Sequence, residues 1–495
     1  MGVIQLSYIR TINPNYPHMK QILLAAFALH ISTATFSQQT NQSKLIDSYV
    51  KEAMKNNKIP GLALGIIKDG KVIFEQYYGT ENLEDLKKVS PSSMFRIYST
   101  SKLTANVGIF QLIEQGKLSL EDNVSKYVEN LPKEWQDVKV KNLLTHSSGI
   151  PNFIAFEDIS VNDSNAKVIE RLSKEKMDFK TGNEFRYNQT NYMLLTMIIE
   201  KITGKSFDDF IINNQFSDVK NQVYFSSNSL EQIPNRVQKY NYNNETKQYE
   251  KTPFDNGVRS HSGNGLAITL PAFLQWSSHL SKNDFLNQNT KEMMWKPFDY
   301  GNKKDSFAYG WEISKANNIP SYGFSGGNVS AYRVFPQNNM AIIMMSNGYN
   351  FFPAQYHIVN HVASIIDKKL TDAYSIAEES IIAGFAKANN PNAEKNYYSI
   401  KAKNPKWDFD GTLNNIGYIL MRGSRVDDAV RVFELNVKEH PQSGGAYDSL
   451  GEGYFNAKNY PLALKNYKKS LELDPQNTNG STMITKIEAL LAQKK

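Results

Sequence analysis

Two pairs of short segments combine β-branched and aromatic residues around polar turns, a pattern that predicts β-hairpins. Residues 62–67 and 72–77 flank Asp69-Gly70, a dipeptide that favours the primed turns of two-residue hairpins. Residues 331–335 and 340–346 form the second pair, around a turn that contains proline and asparagine. We therefore predict strands near both ends of one domain.

Between the two predicted hairpins, apolar residues recur every three or four positions, which predicts helices. One helix should carry Leu103, Val107, Phe110, Leu112 and Ile113, and another should carry Leu194, Leu195, Ile198, Ile199 and Ile202 before it ends at Gly204. This order indicates an α/β (α+β) fold, in which helices flank one antiparallel sheet and also form a helical lobe. A cleft between the sheet and the lobe is the expected place for a site.

The last part of the chain contains an internal repeat. Ile416-Gly417, Leu420, Ala429, Phe433 and Pro441 recur 34 residues later as Leu450-Gly451, Tyr454, Ala463, Tyr467 and Pro475. The pattern resembles the tetratricopeptide repeat (TPR), in which small residues let two antiparallel helices pack closely. We predict an all-α tail over residues 411–495, with two repeats and a capping helix from Met483 to Ala492.

Two such repeats rarely bury enough surface to be stable alone. The tail should therefore lean on residues 374–409 or on the domain before it, and we assign residues 370–410 to a helical linker. The usual role of these repeats is to bind a protein or peptide partner. The alternative is a packing appendage that has no partner.

The N-terminal region predicts export. Lys20 precedes an apolar run from Ile22 to Ala34 and a small-residue exit, the pattern of a cleavable signal peptide within residues 1–37, with Met19 as the true start. The alternative is a buried N-terminal helix. No other stretch of the chain is long and apolar enough for a membrane span. We expect a periplasmic or secreted protein.

Composition excludes several classes of function. The net charge is only +7, from 56 basic and 49 acidic residues, without a basic run, so nucleic acid is not an indicated partner. The chain has no cysteine, which excludes thiol nucleophiles, disulfides and zinc–thiolate sites. The histidines show no metal-ligand spacing, and no nucleotide-binding glycine motif occurs. We therefore expect neither a metal nor a cofactor.

The strongest candidate for chemistry is the S-x-x-K motif from Ser99 to Lys102. On a helix this spacing puts the lysine on the same face as the serine, where a desolvated amine can take the hydroxyl proton. Ser164 and Ser173 open two further copies in polar surroundings, whereas Ser99 follows an apolar segment and opens a predicted apolar helix. The alternative for any one copy is a helix-capping serine with a solvated lysine.

Four more segments complete a resemblance to a known family. They are 143–151 (LLTHSSGIP), 185–195 (FRYNQTNYMLL), 263–266 (GNGL) and 322–328 (YGFSGGN). With the S-x-x-K motif they resemble, in order, the serine beta-lactamase and penicillin-binding-protein superfamily, nearest its class C and esterase-like branch. The resemblance covers residues 42 to 365, and we place the domain at 38–369.

The resemblance implies a role for each matching residue. Ser99 would be the nucleophile that forms an acyl-enzyme, with Lys102 and Tyr187 as its acid and base. An ammonium at Lys102 would lower the pKa of the Tyr187 phenol. The backbone N–H groups of Ser99 and Gly327 would form the oxyanion hole, and Ser325 and Gly326 would line the substrate.

Two positions depart from the family pattern. Gln189 stands where the family has asparagine, which displaces the amide by one methylene. Phe324 stands where the third motif has lysine or histidine, which removes a partner for a substrate carboxylate. Arg333 is a conceivable replacement, but we expect it to be a solvated strand-edge residue. These departures favour an uncharged ester or amide over a penicillin.

The sequence therefore predicts an exported serine hydrolase that cleaves a small ester, amide or peptide through an acyl-serine. The alternative is a weak or inactive protein that binds peptides or peptidoglycan fragments, with the repeats recruiting a partner. We expect His146 to be structural, because no nucleophile-elbow motif occurs. His261 is either a cleft residue or a loop residue.

Overall fold

A computed structural model describes residues 41–301, 307–349 and 354–492. The predicted export signal lies outside these residues. Contacts divide the chain into two compact units, 1–52 and 53–495. In the first, the described residues 41–52 are helical, and the features below belong to the second. Within the described ranges, no helix combines the length and the apolarity needed to cross a membrane.

The described residues contain thirteen strands and sixteen α-helices, joined by turns and short 3₁₀ helices. The strands are β1 (Gly61–Lys68), β2 (Lys71–Asn82), β3 (Lys87–Lys88), β4 (Phe95–Arg96), β5 (Val223–Phe225), β6 (Tyr240–Asn243), β7 (Gln248–Lys251), β8 (Leu266–Ile268), β9 (Glu312–Ala316), β10 (Ile319–Gly326), β11 (Ser330–Phe335), β12 (Met340–Ser346) and β13 (Gly348–Tyr349). The helices of the first domain are α1 (41–56), α2 (Lys102–Glu114), α3 (Val140–Leu144), α4 (Asn165–Leu172), α5 (Gln189–Thr203), α6 (Phe207–Gln215), α7 (Leu270–Ser281), α8 (Gln288–Met294) and α9 (Gln355–Ile366). The tail contains α10 (Ala373–Ala386), α11 (Ala393–Lys403), α12 (Asp410–Arg422), α13 (Val426–Glu439), α14 (Gly444–Asn456), α15 (Tyr460–Leu473) and α16 (Thr478–Ala492).

Both predicted hairpins are confirmed, and they belong to one sheet. The sheet has seven strands in the order β3-β2-β1-β12-β11-β10-β9, and all of its pairings are antiparallel. At the first turn, Asp69 and Gly70 have φ values of 50° and 74°, as a primed turn requires. Strands β9 and β10 extend the sheet beyond the second hairpin, and β10 carries the third motif.

The two predicted helices are confirmed as α2 and α5, and α5 ends at Gly204 with a φ of 67°. Helix α2 is buried on nearly all sides and packs among the other helices of the lobe. Helix α7 covers the sheet, where the missing side chain of Gly65 makes room for Leu270 and Leu274. The predicted α/β (α+β) class, an antiparallel sheet flanked by helices with a helical lobe, is confirmed.

The tail forms antiparallel helix pairs, as the repeat predicts. Gly417 faces the ring of Phe433, and Gly451 faces the ring of Tyr467, so glycine permits the close approach of each pair. Ile381, Tyr397 and Phe409 share one apolar core with the first repeat, which confirms that the array leans on the preceding segment. The capping helix begins at Thr478 rather than at Met483, so it is longer than predicted.

Replacing Gly417 by alanine should destabilise the first repeat. The new Cβ would lie 2.2 Å from a carbon of the Phe433 ring, so the ring must move, at a cost of about 1–3 kcal/mol. Gly411→Ala in the same helix is the matched control, since nothing lies within 4 Å of its Cβ position. Amide hydrogen exchange of α12 and α13 measures the change. Equal exchange in both variants would contradict this packing.

Candidate active site

Ser99 lies at the junction between the sheet and the lobe. It belongs to a 3₁₀ turn, Tyr98–Ser101, that leads directly into α2; the sequence predicted the first turn of the α-helix itself. Tyr98 has a φ of 48°, a left-handed conformation that costs energy for a bulky residue. The strained turn presents the Ser99 side chain next to the start of α5.

The phenol of Tyr187 contacts this serine directly. Its hydroxyl donates a hydrogen bond of 2.9 Å to Ser99 Oγ. Tyr187 precedes α5, whose N-cap Asn188 accepts a hydrogen bond from the Thr190 N–H. His146 holds the backbone on both sides of the tyrosine, because its carbonyl accepts from the Arg186 N–H and its Nδ1 from the Asn188 N–H. The tyrosine is therefore fixed by backbone contacts.

The Lys102 amine is completely buried and has two polar partners. Its Nζ donates to Gln189 Oε1 at 3.0 Å and to the Gly263 carbonyl at 2.7 Å. The rings of Tyr187, Tyr192 and Phe324 surround it at 4.9, 4.6 and 5.9 Å from Nζ to the ring centres. Burial lowers the pKa of Lys102 well below that of an ordinary lysine, which favours the neutral amine.

The predicted pKa shift of Tyr187 is wrong in its direction. An ammonium at Lys102 was expected to lower the pKa of the Tyr187 phenol. Burial instead raises the pKa of Tyr187, and the lysine that would have opposed this shift is itself driven towards its neutral form. Burial thus favours the uncharged form of both groups.

Two glycines of the third motif bring β10 against the serine turn. A Cβ on Gly326 would lie 2.0 Å from the Ile97 carbonyl oxygen and 2.8 Å from the Ser99 nitrogen. Gly327 has a φ of 54°, and its Cβ position lies 2.6 Å from the Tyr98 ring. Among the described residues, no acceptor is hydrogen-bonded to the Ser99 or Gly327 N–H. Only glycines permit this approach.

The two departures from the family pattern both contact the lysine and tyrosine. Gln189 reaches Lys102 through the extra methylene of its side chain, so its amide oxygen is already engaged. Phe324 is 2% exposed, and its ring centre lies 6.3 Å from that of Tyr187. The site therefore has an apolar wall where the family has a basic side chain.

Comparisons with known proteins agree with this arrangement. The family model described as Beta-lactamase matches residues 46–361. The chain belongs to the beta-lactamase family. A tetratricopeptide repeat model matches residues 444–477, which cover the second repeat.

The beta-lactamase-family domain is similar to several proteins that carry different names. Protein flp of Staphylococcus aureus (strain MRSA252) is 27% identical over 182 residues, which are 35% of this chain and 36% of flp. The chain thus matches little more than a third of that relative's length. An octameric penicillin-binding protein homologue from Pyrococcus abyssi has a TM-score of 0.59 at 23% identity, covering 68% of this chain and 81% of that one. EstCE1, a hydrolase with promiscuous acyltransferase activity, has a TM-score of 0.56 at 16% identity, covering 68% and 99%. At these identities the two structures show the fold alone.

A charged network supports the third motif from behind the sheet. Ser325 Oγ and Tyr356 Oη lie 2.6 Å apart, and Tyr356 donates to Glu312 at 2.7 Å. Arg333 donates to the same carboxylate at 2.8 Å and is 3% exposed. The expectation of a solvated Arg333 is wrong, because β11 lies inside the sheet and β9 supplies a carboxylate. Glu312 and Tyr356 belong to no motif, so no local pattern predicts their role.

The two histidines considered from the sequence, His146 and His261, both have structural contacts. His146 is buried, and burial lowers its pKa well below the usual value, so it is neutral beside Tyr187. His261 contacts Asp208 at 2.8 Å and Ser227 Oγ at 3.0 Å, the order of a Ser/His/Asp relay. The Ser227 N–H, however, donates to Glu231, which puts negative charge where an oxyanion would need donors.

Replacing Arg333 by methionine should lower the free energy of unfolding by at least ~2 kcal/mol, because the partly buried Glu312 would lose its cation. The exposed pair of Arg186 and Asp178, 3.1 Å apart, is the matched control, and Arg186→Met should cost less than ~1 kcal/mol. Chemical denaturation compares the two variants. An equal cost would contradict the structural weight given to the Glu312 network.

Proposed function

We propose that this protein is a serine hydrolase that cleaves an ester or amide through an acyl-enzyme on Ser99. The observation that carries the proposal is the hydrogen bond of 2.9 Å from the Tyr187 phenol to Ser99 Oγ, beside a completely buried lysine. A hydroxyl needs a base and a positioned acid to act as a nucleophile. Both are present within one cluster.

Lys102 is the base in this proposal. A neutral amine has two N–H groups, and the acceptors Gln189 and Gly263 engage both of them. The nitrogen lone pair therefore remains free to accept a proton. Ser99 Oγ accepts from Tyr187, so its own hydrogen is available, and we assign the transfer of that proton to Lys102 as Oγ attacks the substrate carbonyl. Lys102 Nζ, which is bonded to Gln189 and Gly263, must approach Oγ for this step.

The developing oxyanion would be bound by two backbone donors, the N–H groups of Ser99 and Gly327. The close approach at Gly326 places these segments side by side, and fixed donors of this kind stabilise a tetrahedral intermediate. The intermediate collapses when the bond from carbon to the leaving oxygen or nitrogen breaks. Tyr187 gives its proton to that atom and is reprotonated through Lys102. Water then attacks the acyl carbon and gives one proton to Lys102, which passes that proton to Ser99 Oγ as the bond from carbon to Oγ breaks.

The apolar wall at Phe324 supports an uncharged group at that point of the substrate, as in a simple ester or amide. EstCE1, whose fold the chain shares, is described as a hydrolase with promiscuous acyltransferase activity, which agrees with a hydrolase assignment. We propose that the chain has three parts: a catalytic domain over residues 38–369, a linker over 370–410 and the repeats over 411–495. The repeats bind a protein or peptide partner, and the mature protein acts after export to the periplasm or beyond.

Replacing Ser99 by alanine should abolish covalent labelling by a fluorophosphonate, because the atom that forms the bond is lost. Intact-mass spectrometry of the wild type should show one adduct. Ser173→Ala is the matched control, since Ser173 opens another S-x-x-K copy on the surface, and it should label like the wild type. Failure of the wild type to label would favour a peptide-binding protein that lacks turnover.

The pH dependence of hydrolysis should follow the deprotonation of Lys102. The active base is the uncharged amine, which predominates above the pKa of Lys102, and burial sets that pKa well below its ordinary value. The value of kcat/KM for 4-nitrophenyl acetate should therefore reach its plateau well below pH 10 and stay flat to pH 10, because the pKa of Tyr187 is raised. A rise that continues through pH 10 would contradict this base.

Lys102→Met should reduce kcat/KM by ~10²–10⁴ and remove this profile. Lys291→Met is the matched control, because burial also lowers the pKa of Lys291, outside the site. Its kcat/KM should remain within twofold of the wild type. Equal losses in the two variants would indicate a general effect of removing a buried lysine.

A further inference from the structure

Three basic side chains line one small pocket beside the serine turn. The pocket is bounded by Arg96, Arg236 and Lys239, together with Tyr98, Phe254 and Val329. Tyr98 directly precedes Ser99 in the chain, and its ring also lies against the position of Gly327. The pocket therefore adjoins the segments that we propose as the oxyanion hole.

Each of the three cations retains an unused donor. Arg96 donates from Nε to the Asn264 carbonyl, and its second nitrogen contacts the Asn256 amide when that amide is oriented to satisfy its neighbours. Its third nitrogen, Nη1, is buried without a partner among the described residues. A buried donor without a partner in the chain is commonly satisfied by water or by a bound group.

Arg236 shows the same pattern, whereas the Lys239 ammonium has ring contacts in place of hydrogen bonds among the described residues. Arg236 donates to the Asn228 carbonyl and to Ser226 Oγ, while its buried Nε has no partner in the described part of the chain. The ammonium of Lys239 lies 4.6 Å from the Tyr98 ring centre and 6.0 Å from that of Tyr349. These ring faces attract a cation but do not accept its three N–H groups as a carboxylate does.

The charge in this pocket is incompletely balanced. The carboxylate that acts on both arginines is that of Glu231, whose oxygens accept from the Ser227 N–H. Burial and the neighbouring Arg96 lower the pKa of Lys239 to about 8. Three cations thus face one carboxylate, and the ammonium is destabilised by its surroundings. A bound anion would relieve both effects.

The size of the pocket limits the anion. The free volume is about 30 Å³, which suits a small anion such as a carboxylate. The planar fork of an arginine also matches a carboxylate well.

We propose that Arg96, Arg236 and Lys239 form a subsite for the carboxylate of the substrate, so that the enzyme prefers esters or amides that carry one carboxylate. This inference rests on the proposed hydrolase function for its link to catalysis. The subsite is distinct from Phe324, which lies beside Lys102 and Tyr187. The carboxylate of the substrate would then bind beside the Tyr98 ring, and the apolar wall at Phe324 would contact an uncharged part of the substrate.

Hydrolysis of matched esters tests the link to catalysis. The wild type should have a KM for mono-4-nitrophenyl succinate at least tenfold lower than that for 4-nitrophenyl acetate. Lys239→Met and Arg236→Met should each raise the succinate KM about tenfold, the effect of one charge-assisted hydrogen bond. Both should leave kcat/KM for the acetate ester within twofold. An equal change for both esters would overturn the proposal.

A charge-matched variant controls for net charge. Lys117 is exposed and lies outside the pocket, so Lys117→Met removes the same charge without touching the subsite. It should leave both KM values unchanged. A rise in the succinate KM in this variant would show that overall charge, and not the pocket, attracts the acidic ester, and would overturn the proposal.

Direct binding separates the subsite from the proposed hydrolase function. Sodium acetate should raise the Tm of Ser99→Ala protein at constant ionic strength, and Lys239→Met in the same background should remove the shift. Stabilisation by acetate without turnover of any ester would refute the hydrolase and leave the anion pocket standing. No stabilisation, or stabilisation by phosphate alone, would overturn the carboxylate subsite even if esters are cleaved.

Discussion

An amine enclosed by aromatic rings is stable in a folded protein only if it loses its charge or gains a carboxylate. Lys102 has no carboxylate among its hydrogen-bond partners, which are an amide oxygen and a backbone carbonyl. Its burial therefore sets the chemistry of the cleft. Burial favours an uncharged amine that can act as a base, the Tyr187 phenol keeps its proton, and that phenol is hydrogen-bonded to Ser99. A charged lysine in the same place would donate protons only.

The fold supplies this burial by bringing distant segments together. Helix α2 carries the lysine into the lobe, α5 begins beside it with Gln189, and β10 closes the third side with Phe324. The tight approach of β10 needs glycine at 326, since any Cβ would meet the Ile97 carbonyl. His146 adds a rigid support, because its backbone and ring hold the residues on either side of Tyr187. Rigid placement of this kind is what a catalytic cluster requires.

The hairpins, the two apolar helices and the repeats could be predicted because local patterns dictate them: Asp69-Gly70 sets a turn, and helical spacing buries one face. The cluster could be predicted only through a resemblance, since nothing local brings residues 99, 187 and 324 together. Glu312 and Arg333 could not be paired, because their contact depends on the neighbouring positions of β9, β10 and β11. The pKa of Tyr187 was predicted in the wrong direction because burial, which sequence spacing does not reveal, outweighs the effect of a nearby amine.

Phe324 and the basic pocket have a common consequence for substrate choice. Phenylalanine at 324 keeps the surroundings of Lys102 apolar. In this chain, cations that recognise a substrate would therefore lie outside this shell. Arg96, Arg236 and Lys239 meet that condition, since the Tyr98 ring and the serine turn separate them from the lysine. Placing recognition and proton transfer on opposite sides of one aromatic ring lets the same cleft hold a neutral base and attract an anion.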